Sequence, residues 1–269
     1  MSIKMLVFDV DGTLYDLDHH TVFNSTINAI HKAKQNDYLF VIASGRCHYA
    51  LGKALNQLKP DYILGISGSV IVDQNHQVIS SFDIPTQAID ELVAFAKQHE
   101  AGLVLKCLDH MYLYQYESKI DWLEGQINSD IGSEPFKTCY SQDIHYSHKV
   151  QGGCIHCDPT LLLDHFKDHP YLDFIQYSND GFDFVLKGLN KGIGINKLMQ
   201  HLQLNRDEVC GIGDNLNDLP MFEVCGYNIA MGNAKEVVKQ KASFVTTSSS
   251  DNGIANAIDH LLGLKKRNR

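Results

Sequence analysis

Two aspartates, Asp9 and Asp11, stand one residue apart directly after an apolar run, and this pair is where the sequence could do chemistry. The run predicts a buried strand, and Gly12 frees the backbone for a sharp turn after it. Acidic groups at the carboxyl end of such a strand lie where open α/β sheets place their ligands. Carboxylates this close repel each other unless a cation, a proton or a reacting group resolves the conflict. The segment therefore indicates a magnesium-assisted phosphoryl-transfer site.

A calcium loop of the EF-hand type is the competing interpretation of these acids. Such a loop requires glycine at its sixth position and glutamate at its twelfth. Counted from Asp9, these two positions hold Leu14 and His20, which excludes the EF-hand.

Two further segments carry residue types that bind phosphate. Ser44 and Gly45 follow an apolar run, where the hydroxyl can donate to a phosphate oxygen and the glycine lets backbone N–H groups come close. An ordinary strand-to-helix turn explains this pair equally well. Lys191 is expected to open a helix, where its charge opposes the macrodipole unless the ammonium faces an anion. Taken alone, a solvated charge remains the alternative for this lysine.

A second acid pair follows another apolar strand. Asp214 stands at the predicted strand tip, and Asp218 lies about one helical turn further along. Helix capping favours aspartate at such a position without any metal. Capping does not explain why two separate strand ends both carry acid pairs, so a shared site between them is predicted.

Strands and helices alternate in the first and last parts of the chain, which predicts parallel strands covered by helices. In the first part, strands are predicted at 5–8, 39–43 and 62–66, helices at 22–34 and 48–58, and a hairpin at 70–72 and 78–81. In the last part, strands are predicted at 209–212, 227–230 and 244–246, and helices at 216–224, 234–240 and 252–262.

The middle of the chain has a different pattern, in which short turns join the strands. Thr86 is the expected N-cap of its first helix. Strands are predicted at 103–108, 111–116, 149–157, 172–177 and 182–186, and helices at 119–127 and 160–167. The pattern predicts an α/β protein whose main domain, residues 1–82 and 188–269, is interrupted by an inserted α+β domain at residues 83–187.

Composition excludes several classes of protein. The 269 residues carry a formal net charge of −9, which argues against a nucleic-acid-binding surface. The basic end at 265–269 is expected to be a solvated tail beyond the last helix.

No apolar run is long enough to cross a membrane, and the early first strand leaves no room for a signal peptide. No membrane partner is therefore expected.

Seven cysteines, an odd number in a chain of this length, fit reduced thiols in the cytoplasm better than a disulfide framework. Cys154 and Cys157 form a CxxC, but no second pair completes a zinc site. Pro159 could start a helix just after them, which leaves a redox pair open. Two strand residues in a reduced protein are the simpler interpretation.

The four chemistry-bearing segments resemble, in order and placement, the four motifs of the haloacid dehalogenase superfamily of phosphatases. The insertion between the second and third motifs is similar to that of the Cof-type branch, subfamily IIB, as is Met231-Gly232-Asn233-Ala234. The segment Ser67-Gly68-Ser69 departs from the Asn-Gly usual in that branch. The resemblance implies a Rossmann-like parallel-sheet core with an inserted α+β cap domain that closes over the site and selects the leaving group.

The resemblance also implies the role of each site residue. Asp9 would attack phosphorus to form an aspartyl-phosphate, and Asp11 would protonate the leaving oxygen and later activate water. Magnesium would be held by Asp9, the Asp11 backbone carbonyl and Asp214, with Asp218 orienting this metal shell. The phosphoryl oxygens would be bound by Ser44, Gly45, Lys191 and Asn217.

The implied function is magnesium-dependent hydrolysis of phosphate monoesters of small metabolites, such as sugar phosphates or phosphorylated cofactors. A phosphotransferase or mutase would use the same aspartyl-phosphate but pass it to a sugar hydroxyl. A non-catalytic protein that binds phosphorylated metabolites is a third possibility, although every catalytic group is present. The sequence indicates neither the substrate nor the oligomeric state.

Overall fold

The protein is described from a computed structural model, and the description extends over residues 3–115, 119–120, 125, 129–139 and 141–267. Its strands are β1 Met5–Phe8, β2 Leu39–Ala43, β3 Tyr62–Gly65, β4 Val70–Asp73, β5 Val78–Ser81, β6 Gly102–Cys107, β7 Met111–Gln115, β8 Phe136–Thr138, β9 Val150–His156, β10 Leu172–Gln176, β11 Gly181–Leu186, β12 Val209–Gly213, β13 Tyr227–Ala230 and β14 Phe244–Val245. Its described α-helices are α1 Asn24–Lys34, α2 Lys53–Asn56, α3 Thr86–Gln98, α4 Pro159–His165, α5 Lys191–Leu202, α6 Leu219–Val224, α7 Glu236–Lys239 and α8 Gly253–Arg267.

The first sheet has eight strands in the order β14-β13-β12-β1-β2-β3-β4-β5. Pairing is parallel from β14 to β3 and antiparallel from β3 to β5. The central strand β1 lies between β12, from the last part of the chain, and β2, from the first part. Its four residues are buried, as expected of a strand covered on both faces. The predicted parallel sheet and the β4–β5 hairpin are confirmed.

The second sheet is formed by the middle of the chain, in the order β10-β11-β9-β6-β7-β8. All its pairs are antiparallel except β7–β8. One face, represented by Leu103, Leu105 and Phe184, packs with α3 and α4 in a hydrophobic core of its own. The other face, represented by Val104 and Cys154, joins the core of the first sheet. The predicted combination of an α/β core with an inserted α+β unit is confirmed.

Several predicted elements differ from the structure. The helix predicted at 48–58 is a 3₁₀ turn followed by α2, because Gly52 between them has φ 85°. Thr86 is the first residue of α3 rather than its N-cap, since extended Pro85 occupies the cap position. Strand β8 was not predicted, and most of the helix predicted at 119–127 lies outside the described residues.

The basic end of the chain also differs from the prediction. Helix α8 extends to Arg267, so Lys265 lies within it rather than in a solvated tail. The Lys265 ammonium donates to the Asn36 carbonyl at 2.5 Å and lies 4.8 Å from the centre of the Tyr38 ring. No helix in the described part of the chain is both long and apolar enough to span a membrane.

Candidate active site

Asp9 lies at the point where β1 and β12 end side by side. Its backbone N–H donates to Ile212 at 2.9 Å and so extends the parallel pairing by one residue. The chain then turns at Gly12, with φ 89°, where a Cβ would lie 2.5 Å from a carboxylate oxygen of Asp214. Glycine is therefore required here both for the backbone conformation and for the close approach of the second acid.

Lys191 lies beneath these strand ends as the first residue of α5, which Asn190 caps by accepting from the Ile193 N–H at 3.1 Å. Its side chain is buried, with 1% of its surface exposed. The ammonium donates to Asp9 Oδ1 and, at 2.6 Å, to Asp218 Oδ1. The solvated-charge interpretation of Lys191 is therefore wrong, since the carboxyl groups of Asp9 and Asp218 hold its ammonium inside the protein.

Asp218 holds the loop after β12 in place. Its Oδ2 accepts from the backbone N–H groups of Asp214 at 2.9 Å and Asn215 at 3.0 Å, while Oδ1 accepts from Lys191. A charged acceptor with several donors is strongly bound, so the loop is ordered around this carboxylate. Gly213 makes room for it, because a Cβ there would lie 2.5 Å from Asp218 Oδ2.

Burial and mutual repulsion shift the pKa values of these acids. Burial and then the nearby Asp218 raise the pKa of Asp9 well above its ordinary value, although Lys191 opposes them. Burial raises the pKa of Asp214 to about 6, against a hydrogen bond from Thr13. Burial alone would lower the pKa of Lys191, but Asp218 and Asp9 more than offset it. The raised pKa values of Asp9 and Asp214 show that the single ammonium of Lys191 does not fully offset the burial and mutual repulsion of these carboxylates.

The acid cluster fits a hard divalent cation. Oxygen atoms of Asp9, Asp214 and Asp218 lie within 4.8 Å of one another. Carboxylate oxygens are the ligands that magnesium prefers. Both carboxylate oxygens of Asp218 already accept hydrogen bonds, whereas the Asp214 carboxylate accepts one among the described residues, from the Thr13 hydroxyl at 2.9 Å. Asp9 and Asp214 can therefore bind a metal directly, and Asp218 can orient them.

Asp11 is held apart from Asp9 by a cation of its own. Arg46 donates through Nη2 to Asp11 Oδ1 at 2.5 Å and through Nε to Oδ2 at 3.2 Å. The guanidinium also lies 5.2 Å from the centre of the Tyr15 ring. Such a forked pair fixes the direction of a carboxylate. Arg46 directly follows Ser44 and Gly45 in the sequence, but no pattern there predicts its contact with Asp11.

A cavity of about 650 Å³ lies between the two sheets and joins most of the predicted site residues. Its described lining includes Asp9, Asp11, Ser44, Gly45 and Asn217. Lys191, Asp214 and Asp218 are not part of this lining and support its floor through the contacts above. Ser44 is buried, and its hydroxyl accepts from the Arg46 backbone N–H at 3.1 Å.

The loop after β13 supports the turn that follows Asp11. Asn233 donates to the Gly12 carbonyl at 2.8 Å and accepts from the Ser249 N–H at 3.0 Å. The Ser249 hydroxyl donates in turn to buried Asp16 at 2.7 Å. The segment containing Asn233, noted in the sequence for its resemblance, thus connects the loop after β14 to the first turn of the site.

The CxxC cysteines lack the environment of a redox pair. Cys154 lies within β9 and Cys157 directly after it. Burial raises the pKa of both thiols to about 12. Since the thiolate is the reactive form, neither cysteine is activated.

A family model matches residues 6–258 and is described as haloacid dehalogenase-like hydrolase. The chain is 30% identical to a putative phosphatase, YkrA, of Bacillus subtilis (strain 168), with 99% of this chain and 100% of that protein covered. It is 28% identical to a putative bifunctional phosphatase/peptidyl-prolyl cis-trans isomerase of Streptococcus pyogenes serotype M6, with 97% of this chain covered. It spans 54% of that longer relative.

Among solved structures, the chain is similar to BT4131, a sugar phosphatase of haloacid dehalogenase subclass IIB, with a TM-score of 0.82. The two are 23% identical over 96% of this chain and 98% of that one. At this identity the match supports the arrangement of core and inserted unit.

Replacement of Lys191 by methionine is expected to destabilise the metal-free protein at about pH 7.5 by about 3–5 kcal/mol, because two carboxylates remain buried without their cation. In this variant Asp9, whose pKa is already raised, takes up a proton. The loss of unfolding free energy relative to the wild type should therefore shrink as the pH falls toward about 5. Urea unfolding at both pH values measures this.

The matched control is Lys32→Met, which removes an exposed ion pair with Asp259 and should cost less than about 1 kcal/mol. If Lys191→Met lost as little unfolding free energy as the control, that result would contradict the proposed dependence of the site on this ammonium.

Proposed function

The chain belongs to the haloacid dehalogenase-like hydrolase family, whose relatives reported above are named phosphatases, and on this premise we propose that it is a magnesium-dependent phosphatase of small phosphorylated metabolites. The observation that carries the proposal is the convergence of Asp9, Lys191 and Asp214 below a cavity that Asp11 also lines. Each group has a chemical task in hydrolysis of a phosphate monoester.

In the first step, a carboxylate oxygen of Asp9 attacks phosphorus, and the bond from phosphorus to the leaving oxygen breaks. Protonated Asp11 donates its proton to that oxygen, so the product leaves as an alcohol. Asp9 then carries the phosphoryl group as an aspartyl-phosphate. The buried Lys191 ammonium limits the repulsion between Asp9 and the incoming phosphate.

In the second step, Asp11 acts as a base. Its carboxylate removes a proton from water, whose oxygen attacks the phosphorus of the aspartyl-phosphate. Inorganic phosphate leaves, and both Asp9 and Asp11 return to their starting states. Arg46 donates to both oxygens of Asp11 and so fixes the position of this carboxyl group at the wall of the cavity, where the leaving oxygen and then water would lie.

Magnesium would be bound by Asp9, Asp214 and the Asp11 backbone carbonyl, with Asp218 holding the loop. When bound, it screens the negative charge that carboxylate and phosphate bring together. The phosphoryl oxygens would be bound by Ser44, Gly45, Asn217 and Lys191. The first three line the cavity, and Lys191 reaches the site from below through its contact with Asp9.

We assign the cap to residues 83–187 and the core to residues 1–82 and 188–269. The second sheet lies within the first of these ranges and covers the cavity with Lys106, Met111 and Cys154. A cover of this kind excludes water and contacts the leaving group. The structural neighbour is named a sugar phosphatase, which favours a hydroxyl-bearing metabolite as the leaving group.

Phosphate release from p-nitrophenyl phosphate in the presence of magnesium tests the proposal. The wild type should release phosphate, and Asp9→Asn should lower kcat by at least about 10³-fold, because the amide cannot attack phosphorus. Undiminished activity in Asp9→Asn would exclude Asp9 as the nucleophile. Isomerisation of a sugar phosphate without release of free phosphate would instead identify a mutase.

Arg46→Met is expected to lower kcat for the same ester by about 10–100-fold with a smaller change in KM. The substitution removes the group that orients Asp11, whereas the groups that bind the phosphate remain in place. Arg46→Lys should recover little, since an ammonium cannot form both hydrogen bonds to Asp11. Full activity of Arg46→Met would remove this residue from the mechanism.

Magnesium binding should weaken below about pH 6. Asp214, with its pKa at about 6, then carries a proton that the cation must displace. The rise in Tm caused by a fixed magnesium concentration should therefore be smaller at about pH 5 than at about pH 7.5. Asp214→Asn should reduce the rise at both pH values. An equal rise in the wild type at both pH values would contradict Asp214 as a ligand.

A further inference from the structure

The central strands of the cap sheet place two opposite charges on the face that looks toward the core. Along β6, Leu103 and Leu105 face α3, whereas Val104 packs with the other core. Lys106 lies on the same face of β6 as Val104, because successive side chains of a strand point to opposite faces. On β11, Asp183 lies between Phe182 and Phe184, which both face the helices. Lys106 and Asp183 thus flank β9 on the face that covers the cavity.

The two side chains form an ion pair directly above Gly45, which with Ser44 is predicted to bind phosphate. Lys106 Nζ donates to Asp183 Oδ1 at 2.7 Å and to the Gly45 carbonyl at 3.4 Å. A Cβ at Gly45 would lie 3.6 Å from the other oxygen of Asp183, Oδ2. Both side chains line the cavity that Asp9 and Asp11 also line. The pair is therefore close to where a leaving group attached to the phosphate must lie.

Stability does not explain why this pair is present. Lys106 is 7% exposed, next to apolar Val104 and Cys154 on the same face. The Asp183 side chain is 27% exposed, and a largely buried ion pair of this kind often stabilises a protein no more than apolar residues of similar volume. The pair also retains unused hydrogen-bonding capacity, since an ammonium has three donors and Asp183 Oδ2 has no donor among the described residues.

We propose that the Lys106–Asp183 pair selects the leaving group, binding a neutral chain of hydroxyl groups and rejecting a leaving group that carries a second anion. This inference rests on the phosphatase function proposed above. A hydroxyl group both donates and accepts, so it can bond to the free oxygen of Asp183 and to the remaining donor of Lys106 at once.

The charges around the cavity account for the rejection of a second anion. The described lining contains four carboxylates, those of Asp9, Asp11, Asp130 and Asp183. Its lysine and arginine side chains, Lys106 and Arg46, are already paired with Asp183 and Asp11. A carboxylate or second phosphate on the leaving group would face these acids with no unpaired lysine or arginine among the described lining residues. Like charges placed together in this way give specificity by repulsion.

Three probes test the proposal by phosphate release with magnesium present. Sorbitol 6-phosphate and 6-phosphogluconate share an acyclic, hydroxylated chain but differ at the far end, where the second carries a carboxylate. p-Nitrophenyl phosphate lacks the hydroxyl groups and reports on the core alone. In the wild type, kcat/KM for sorbitol 6-phosphate should exceed that for 6-phosphogluconate by at least about tenfold.

The variants should separate selection from catalysis. Asp183→Asn leaves Lys106 charged and unpaired, so the preference for sorbitol 6-phosphate over 6-phosphogluconate should fall by about tenfold. Lys106→Met should lower kcat/KM for sorbitol 6-phosphate by at least about tenfold while p-nitrophenyl phosphate stays within about threefold. Lys149→Met, which breaks an exposed ion pair with Asp83, should change none of these values.

Three results would overturn the proposal: equal use of both sugar derivatives by the wild type, an unchanged preference in Asp183→Asn, or an equal loss with all probes in Lys106→Met. Thermal unfolding of each variant shows that it is folded, and the near-isosteric Asp183→Asn keeps the test open if Lys106→Met does not fold. Absence of release from all three probes by the wild type would instead overturn the proposed phosphatase function.

Discussion

The buried ammonium of Lys191 is the interaction on which the rest of the site depends. It contacts Asp9 at the end of β1 and Asp218 after β12, so three separate parts of the chain meet at one charge. Without it, burial would leave these carboxylates uncompensated, at a cost of several kcal/mol. The approach of α5 requires Gly192, where a Cβ would lie 2.3 Å from the Pro220 carbonyl oxygen.

Pairing with different cations also separates the proposed tasks of Asp9 and Asp11, the two aspartates that stand one residue apart. Asp9 is buried against Lys191, and its side chain is 8% exposed. The side chain of Asp11 is 42% exposed and is paired with Arg46. Each acid therefore has a cation of its own, and the repulsion between them is resolved by position as well as by charge. A nucleophile needs the fixed, dry environment, whereas a group that gives and takes protons needs access to the leaving oxygen and to water.

Much of this arrangement could be predicted from the sequence, because strand ends in a parallel sheet bring their residues to one edge. The apolar runs before Asp9, Ser44 and Asp214 were sufficient for that. Periodicity could not identify Arg46 as the partner of Asp11, since that contact depends on the path of the loop after β2. The helix predicted at 48–58 was broken by Gly52, whose positive φ depends on the surrounding structure. Lys106 and Asp183 are 77 residues apart, and only the strand order of the cap joins them.

The two faces of the cap sheet show how a single strand pattern serves two purposes. Every second residue of β6 builds the cap's own core with α3, which stabilises the unit. Of the alternate residues, Val104 packs with the core of the first sheet and Lys106 lines the cavity. The charged residues proposed to act in catalysis are already paired with one another, so they have little capacity left to distinguish one leaving group from another. The proposed function therefore assigns discrimination to the cap face, where Lys106 and Asp183 place an ion pair at the cavity, above the Asp9–Lys191 contact.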